Sequence, residues 1–154
     1  IKSFAMRLVV QRVKEAKVLV DGDVLGGINL GLLVFLGVEH NDELEDVSWL
    51  VKKVLGIRIF SDGDGKMNCS LKQVNASVLV VSQFTLHASI KKGNRPSFTA
   101  AAEPVKANEM YEKFIFGIKN EGIHVESGKF GANMQVELVN DGPVTILMDS
   151  KNKE

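Results

Sequence analysis

This chain of 154 residues has one cysteine, no excess of charge of either sign and no long apolar run. The lone Cys69 excludes an intrachain disulfide and suits a reducing compartment such as the cytoplasm. Nineteen Lys and Arg balance nineteen Asp and Glu. The summed charge therefore attracts no polyanion, and any nucleic-acid contact has to come from a local basic patch. No apolar stretch approaches the ~20 residues of a membrane span. Metal spacings are missing as well, because His40, His87 and His124 stand far apart and Cys69 has no neighbouring ligand pair. Asp62, Asp64 and Gly65 hint at a calcium loop. Its third acidic position and closing Glu are absent, which leaves a plain turn. Gly65-Lys66 lacks the upstream glycine of a phosphate loop, and Gly26, Gly27 and Gly31 do not form a dinucleotide fingerprint. No Gly-x-Ser-x-Gly elbow occurs. Metalloenzymes, nucleotide hydrolases and serine-triad esterases are thus unsupported, and no cofactor is expected.

What remains is an ordinary soluble composition, 45% hydrophobic and 25% charged, at the length of about one domain. Residues 1–5, "IKSFA", read as an expression remnant, 6–150 as a single domain and 151–154 as a C-terminal tail. The next stretch, "MRLVVQRV", is interrupted too early by Gln11 and Arg12 to be a signal peptide, and reads as a strand.

Two segments carry helical periodicity. In "NDELEDVSWLVKKVLG", Asn41 or Asp42 offers an N-cap, Leu44, Val47, Leu50, Val51, Val54 and Leu55 form the apolar stripe, and Gly56 ends it. In "EPVKANEMYEKFIFGIKNEG", Pro104 stands near the first turn, Ala107, Met110, Tyr111, Phe114 and Ile118 face one way, and Gly122 stops the helix. The other segments read as strands. "AKVLV" turns at Asp21-Gly22 into "VLGGI", and the apolar runs "GLLVFLGV" and "SVLVVSQF" suit strands covered on both faces. "MQVELV" and "VTILMD" are expected to close the chain as a hairpin. Strands, then strand–helix twice, then strands predict a mixed α/β (α+β) domain with a layered sheet core and two main helices.

Three polar features stand out from this frame. Ser82, Gln83 and Thr85 follow a buried strand directly, where a sheet opens and ligands bind; a strand merely emerging into solvent would look the same. Lys91, Lys92 and Arg95 surround Gly93 and Pro96 in a loop that suits either phosphate contact or plain solvation. Asn140-Asp141-Gly142-Pro143 holds more conformational control than a turn needs, since Asp-Gly alone would serve and Pro143 makes a cis peptide accessible.

Taken together, "VQRV", "VVSQFTL", "KKGNRPSF", "KFGANMQV" and "NDGPVT" resemble, in order and spacing, the D-aminoacyl-tRNA deacylase (D-tyrosyl-tRNA deacylase) family. The likeness runs from Met6 to about Asp149; its small departures are the five leading residues and His87, at a position where the family varies. The resemblance implies a β/β/α layered fold with barrel-like sheet packing, and a homodimer. It implies hydrolysis of the ester joining a D-amino acid to the 3′ end of tRNA, and activity on glycine mischarged on tRNA-Ala. An RNA rather than a DNA partner follows.

In that family the peptide matching Gly142-Pro143 is cis and enters the partner subunit's site. Its carbonyls there accept from the substrate α-amino group and exclude an L side chain, while Arg12 matches the arginine that holds it. Such a gate selects by clash and cannot exclude glycine. Thr85 matches a residue once regarded as a nucleophile, but no general base lies in the matched motifs, so the hydroxyl would be poorly activated. The amides around Gln83, Phe84 and Thr85, following Ser82, are the expected oxyanion site, with water attacking and the ribose 2′-hydroxyl assisting. Phe130 and Gly131 match pocket-lining positions, although Phe130 would equally suit the core, and Ala107 matches a residue near the terminal adenosine. Two rivals remain: a non-catalytic RNA-binding module using the Lys91–Arg95 loop, and a general small-ester hydrolase.

Overall fold

The computed structural model describes residues 5–153, so the first four of the five residues read as a remnant lie outside the described residues. Ala5 is fully buried, and the Met6 amide donates to Asp42 Oδ1 at 2.8 Å, so Ala5 and Met6 belong to the packed body. The two N-terminal strand segments are one strand, β1 (Arg7–Val20), which turns through Asp21-Gly22 into β2 (Asp23–Ile28) and β3 (Gly31–Gly37). Asp21 and Gly22 both adopt positive φ, as the Asp-Gly pair predicts.

Helix α1 (Leu44–Gly56) begins later than the sequence reading placed it. Its N-cap is Glu43, and the cap and Asp46 exchange side-chain-to-backbone hydrogen bonds in a capping box. Asn41 and Asp42 are left in the preceding loop, where Asp42 accepts the amides of Met6 and Glu39. A short hairpin, β4 (Phe60–Ser61) and β5 (Met67–Cys69), encloses the Asp62–Gly65 turn. Then follow β6 (Ser77–Ser82), a 3-10 turn over Phe84–His87, α2 (Pro104–Lys119), β7 (Val125–Ser127) and β8 (Gln135–Asp149).

The expected C-terminal hairpin is a correction. Both halves of β8 pair antiparallel with β1, from Arg7↔Asp149 to Leu19↔Gln135, and residues 141–144 form an excursion within the strand. β1 is long enough to offer each half a ladder of its own, so neither half needs the other.

The main sheet runs β2-β1-β3-β6-β7, with β8 on the other side of β1. β3 and β6 are parallel, as are β6 and β7, and β3 is buried almost throughout. The sheet curls so far that a Cβ on Gly26 of β2 would lie 2.9 Å from the Ser127 carbonyl oxygen of β7. This near-closure gives the barrel-like packing. Val13, Ala16, Val18, Ile28, Leu33, Leu79 and Val81 fill the space inside the curl. The opposite face meets both helices through Leu8, Val34, Leu50, Val80 and Phe114. The architecture is a mixed α+β layered domain with two α-helices among the described residues, neither of them long and apolar enough to cross a membrane.

Candidate active site

β6 ends at Ser82 because Gln83 leaves the sheet (φ −143°, ψ 83°) and the chain tightens into the 3-10 turn. The Gln83 amide still donates to the Leu36 carbonyl at 2.8 Å, continuing the β3 ladder by one bond. It is therefore unavailable to a ligand, which narrows the expected oxyanion site around Gln83, Phe84 and Thr85 to the amides of the last two. The amides of Phe84 and Thr85 open the turn, where no intrahelical acceptor exists, and no described residue accepts from them. Two adjacent unpaired donors at a strand's end can stabilise a developing oxyanion.

Beside them lies a cleft of about 600 Å³. Among its lining residues are Ser82, Gln83, Phe84, Ala107, Phe130 and Gly131, six predicted site residues from three separate segments. Phe130 serves in both of the roles read for it. It lines the cleft, and it rests on the core through the Tyr111 ring at 5.9 Å. Burial pushes the Tyr111 phenol up to about 12, and its hydroxyl donates to the Val80 carbonyl, so it is a fixed neutral support. The sequence reading missed Phe98, Ala101, Ala102 and Met134 on the cleft wall. Phe98 packs edge-on against Phe84 at 5.0 Å. The 100–102 segment is pinned to the end of β3, with the Ala102 amide donating to Val38 at 2.9 Å. Small residues carry no pattern of their own, and Met134 was visible only as part of "KFGANMQV".

Thr85 sits at the rim, exposed and outside the cleft lining. Its Oγ1 accepts from the side-chain amide of Gln83. An amide nitrogen donates and cannot take the hydroxyl proton, so this contact orients Thr85 without activating it. Lys91, Lys92 and Arg95 are exposed on a projection closed by reciprocal Ser89–Ser97 amide–carbonyl bonds of 2.8 Å, and Phe98 joins that projection to the cleft. Among the described residues their side chains form no ion pair.

Gly142-Pro143 lies elsewhere. Its peptide is cis, both residues are exposed, and Arg12 secures it from β1. Arg12 Nε donates to the Asp141 carbonyl at 3.0 Å and Nη1 to the Ile59 carbonyl at 2.6 Å. The partners that a polar residue on an apolar strand requires are thus two backbone oxygens and the Asp141 carboxylate, 3.7 Å from Nε. On the same strand Arg7 donates to the Leu86 carbonyl at the 3-10 turn. Five residues of strand separate Arg7 from Arg12, roughly 16 Å at ~3.3 Å per residue. Neither Gly142 nor Pro143 is part of the cleft lining. A larger concavity of about 800 Å³ between β1, β2 and β8 contains none of the predicted site residues.

The D-Tyr-tRNA(Tyr) deacylase family model matches residues 9–149. A D-aminoacyl-tRNA deacylase of Thermotoga petrophila is 58% identical over 94% of this chain and 97% of its own. One from Akkermansia muciniphila is 57% identical over 97% and 100%. Among solved structures, a c-Myc DNA unwinding element binding protein superposes with a TM-score of 0.87 at 38% identity, covering 92% of this chain and 97% of its own. A probable eukaryotic D-amino acid tRNA deacylase gives 0.83 at 16% identity, over 94% and 98%, a likeness of fold.

Proposed function

Because the chain belongs to the D-Tyr-tRNA(Tyr) deacylase family, we propose that it hydrolyses the ester linking a D-amino acid to the 3′ end of tRNA, releasing both. The observation that carries this reading is the pair of open amides of Phe84 and Thr85 at the mouth of a cleft sized for an aminoacyl-adenosine. An aminoacyl ester is already reactive, so orientation plus oxyanion stabilisation suffices without a protein nucleophile. Water attacks the carbonyl carbon with the substrate's own ribose 2′-hydroxyl assisting. The carbonyl oxygen takes up charge toward the two amides, and the C–O bond to the ribose then breaks.

Chirality is read by the Gly142-Pro143 segment of the partner subunit in a homodimer. Its exposure, its anchoring by Arg12 and its absence from the lining of its own cleft support a role across an interface. Backbone oxygens offered to the substrate α-amino group leave no room for an L side chain, and they admit glycine, so glycyl-tRNA is a second substrate. Lys91, Lys92 and Arg95 meet the tRNA backbone, consistent with a neutral chain that carries one exposed basic projection. The site of action is the cytoplasm.

One structural neighbour is a c-Myc DNA unwinding element binding protein, which favours nucleic-acid binding as a second reading. Incubation with matched D-, L- and glycyl-tRNA and with a free D-amino acid ester separates the possibilities. Release from D- and glycyl-tRNA with L-tRNA spared supports the proposal. Binding without release supports the nucleic-acid module, and equal cleavage of the free ester supports a general esterase.

A further inference from the structure

His87 closes the 3-10 turn that carries the Phe84 and Thr85 amides, and it is only 3% exposed. Neither ring nitrogen has a hydrogen-bond partner among the described residues. The ring lies against Gly37, where an added Cβ would come within 3.1 Å of His87 Cδ2. The Gly37 backbone faces the imidazole without the alignment of a hydrogen bond. The same Cβ would lie 3.0 Å from the Gln83 carbonyl oxygen and from Leu86 Cβ, so glycine at 37 lets β3 approach the whole turn closely, the ring included.

The charged groups around the ring are Arg7 of β1, Glu39 beyond β3 and Asp149 of β8. Arg7 opposes a second positive charge, and both carboxylates are committed elsewhere. Glu39 accepts from the Asn41 amide at 2.8 Å and pairs with His40 at 3.0 Å. Asp149 accepts from Arg7 at 3.0 Å and from the amides of Lys151 and Asn152. An imidazolium here would bring two N–H donors against two committed carboxylates, with only the Gly37 backbone facing the ring as a further acceptor. Burial, then Arg7, holds the ring's pKa below its ordinary value, although the Gly37 backbone and the two carboxylates pull the other way.

We propose that neutral His87 is the seat of the Phe84–His87 turn, a positioning residue whose protonation in mild acid lifts the turn and disables the oxyanion site. A charged ring relieves its unpaired donors by moving toward water, and Phe84 and Thr85 lie within three residues on the same tight turn. This rests on the reading of those amides as the oxyanion site. The neutral form is favoured in the fold, so the turn's integrity is complete above about pH 6.5 and is lost as pH falls below it.

The test follows two signals in the homogeneous full chain between pH 7.5 and 5. One is NMR of the His87 ring together with the Phe84 and Thr85 amides. The other is kcat/KM for D-aminoacyl-tRNA in the native chain and in His87→Phe. The expected result is a single midpoint below 6.5 shared by the ring and both amides, with an acid loss in activity at least about fivefold shallower in His87→Phe. A ring that titrates at or above 6.5, or that titrates without moving the two amides, overturns the proposal. Amides that follow the ring while turnover stays level support the seat and instead sink the oxyanion reading. The ring and amide titration needs no variant, so a misfolded His87→Phe does not remove the test.

Discussion

Arg12 Nε donates to the carbonyl oxygen of Asp141 at 3.0 Å, which ties the middle of β1 to the residue just before Gly142. The same guanidinium reaches the Ile59 carbonyl, and its side chain is only 11% exposed. Two loops distant in sequence therefore share one anchor. Removing it leaves two half-buried carbonyls unpaired, each costing about 1–3 kcal/mol. Arg12→Ala is expected to lower stability by about 2–6 kcal/mol in all and to reduce kcat/KM for D-aminoacyl-tRNA more than its loss of folded protein explains. Arg12→Lys, with one compact donor group, recovers only part of either loss. Urea unfolding and single-substrate kinetics on the three proteins decide it. Full activity in Arg12→Ala would show that the anchor is dispensable.

Gly142 gives an independent check on the same segment. Its φ is +134°, and an added Cβ would lie 2.9 Å from both Arg12 Nη2 and Val144 Cγ2. Backbone strain of this kind is of order 1–3 kcal/mol, with displacement of the anchor in addition. Gly142→Ala is expected to fold with a lowered Tm and to lose at least about tenfold in deacylation. Gly122→Ala serves as the control, since that glycine also has positive φ (+81°), meets nothing within 4 Å and is not part of the cleft lining. Equal activity losses in the two variants would mean that strain alone, and not the Arg12 contact, explains the result.

Much of this was legible in the chain because local chemistry and tertiary structure agree. The stripe Val47, Leu50, Val54 is buried against the sheet, and the apolar β3 and β6 runs are covered on both faces. Six of the predicted site residues meet in one cleft, and all but Ala107 stand in the motifs that carried the resemblance. The errors lie where one element borrows from another. The hairpin reading of 134–149 failed because β1 is long enough to pair with both halves. The α1 cap moved to Glu43 because tertiary contacts had already claimed Asp42. His87 carried no signal at all, since nothing in a sequence says that a histidine will be buried without partners.

The Gln83–Thr85 contact makes the role of Thr85 measurable. Its hydroxyl accepts from an amide, which cannot take its proton, so a positioning contribution is the expectation to test. Thr85→Ala is expected to reduce kcat by less than about tenfold, and Thr85→Ser to retain most activity. Gln83→Ala should resemble Thr85→Ala, and the double variant should lose little more, because both changes remove the same contact. Abolished turnover in Thr85→Ala, with substrate binding and fold intact, would instead restore the hydroxyl as nucleophile.

Asp42 sets a pH dependence opposite in sign to that of His87. Its Oδ1 accepts from the Met6 amide at 2.8 Å and its Oδ2 from the Glu39 amide at 2.7 Å, and the residue is 1% exposed. Burial pushes the carboxyl up to about 6, and the neighbouring Asp46 and Glu39 charges push the same way against its amide bonds. The folded chain then binds this proton more tightly than the unfolded chain, whose carboxyl titrates near 3.8. Stability contributed here rises as pH falls from about 6 toward 4, and keeping the group ionised costs most above 6. Asp42→Asn removes the titration and turns one amide donor toward another. The native chain should therefore be the more stable, by a margin that widens on acidification from pH 7 to 4.5. Urea midpoints of both proteins across that range measure the margin. A constant difference would mean that Asp42 is ionised in the fold throughout, held by its two amide bonds against burial.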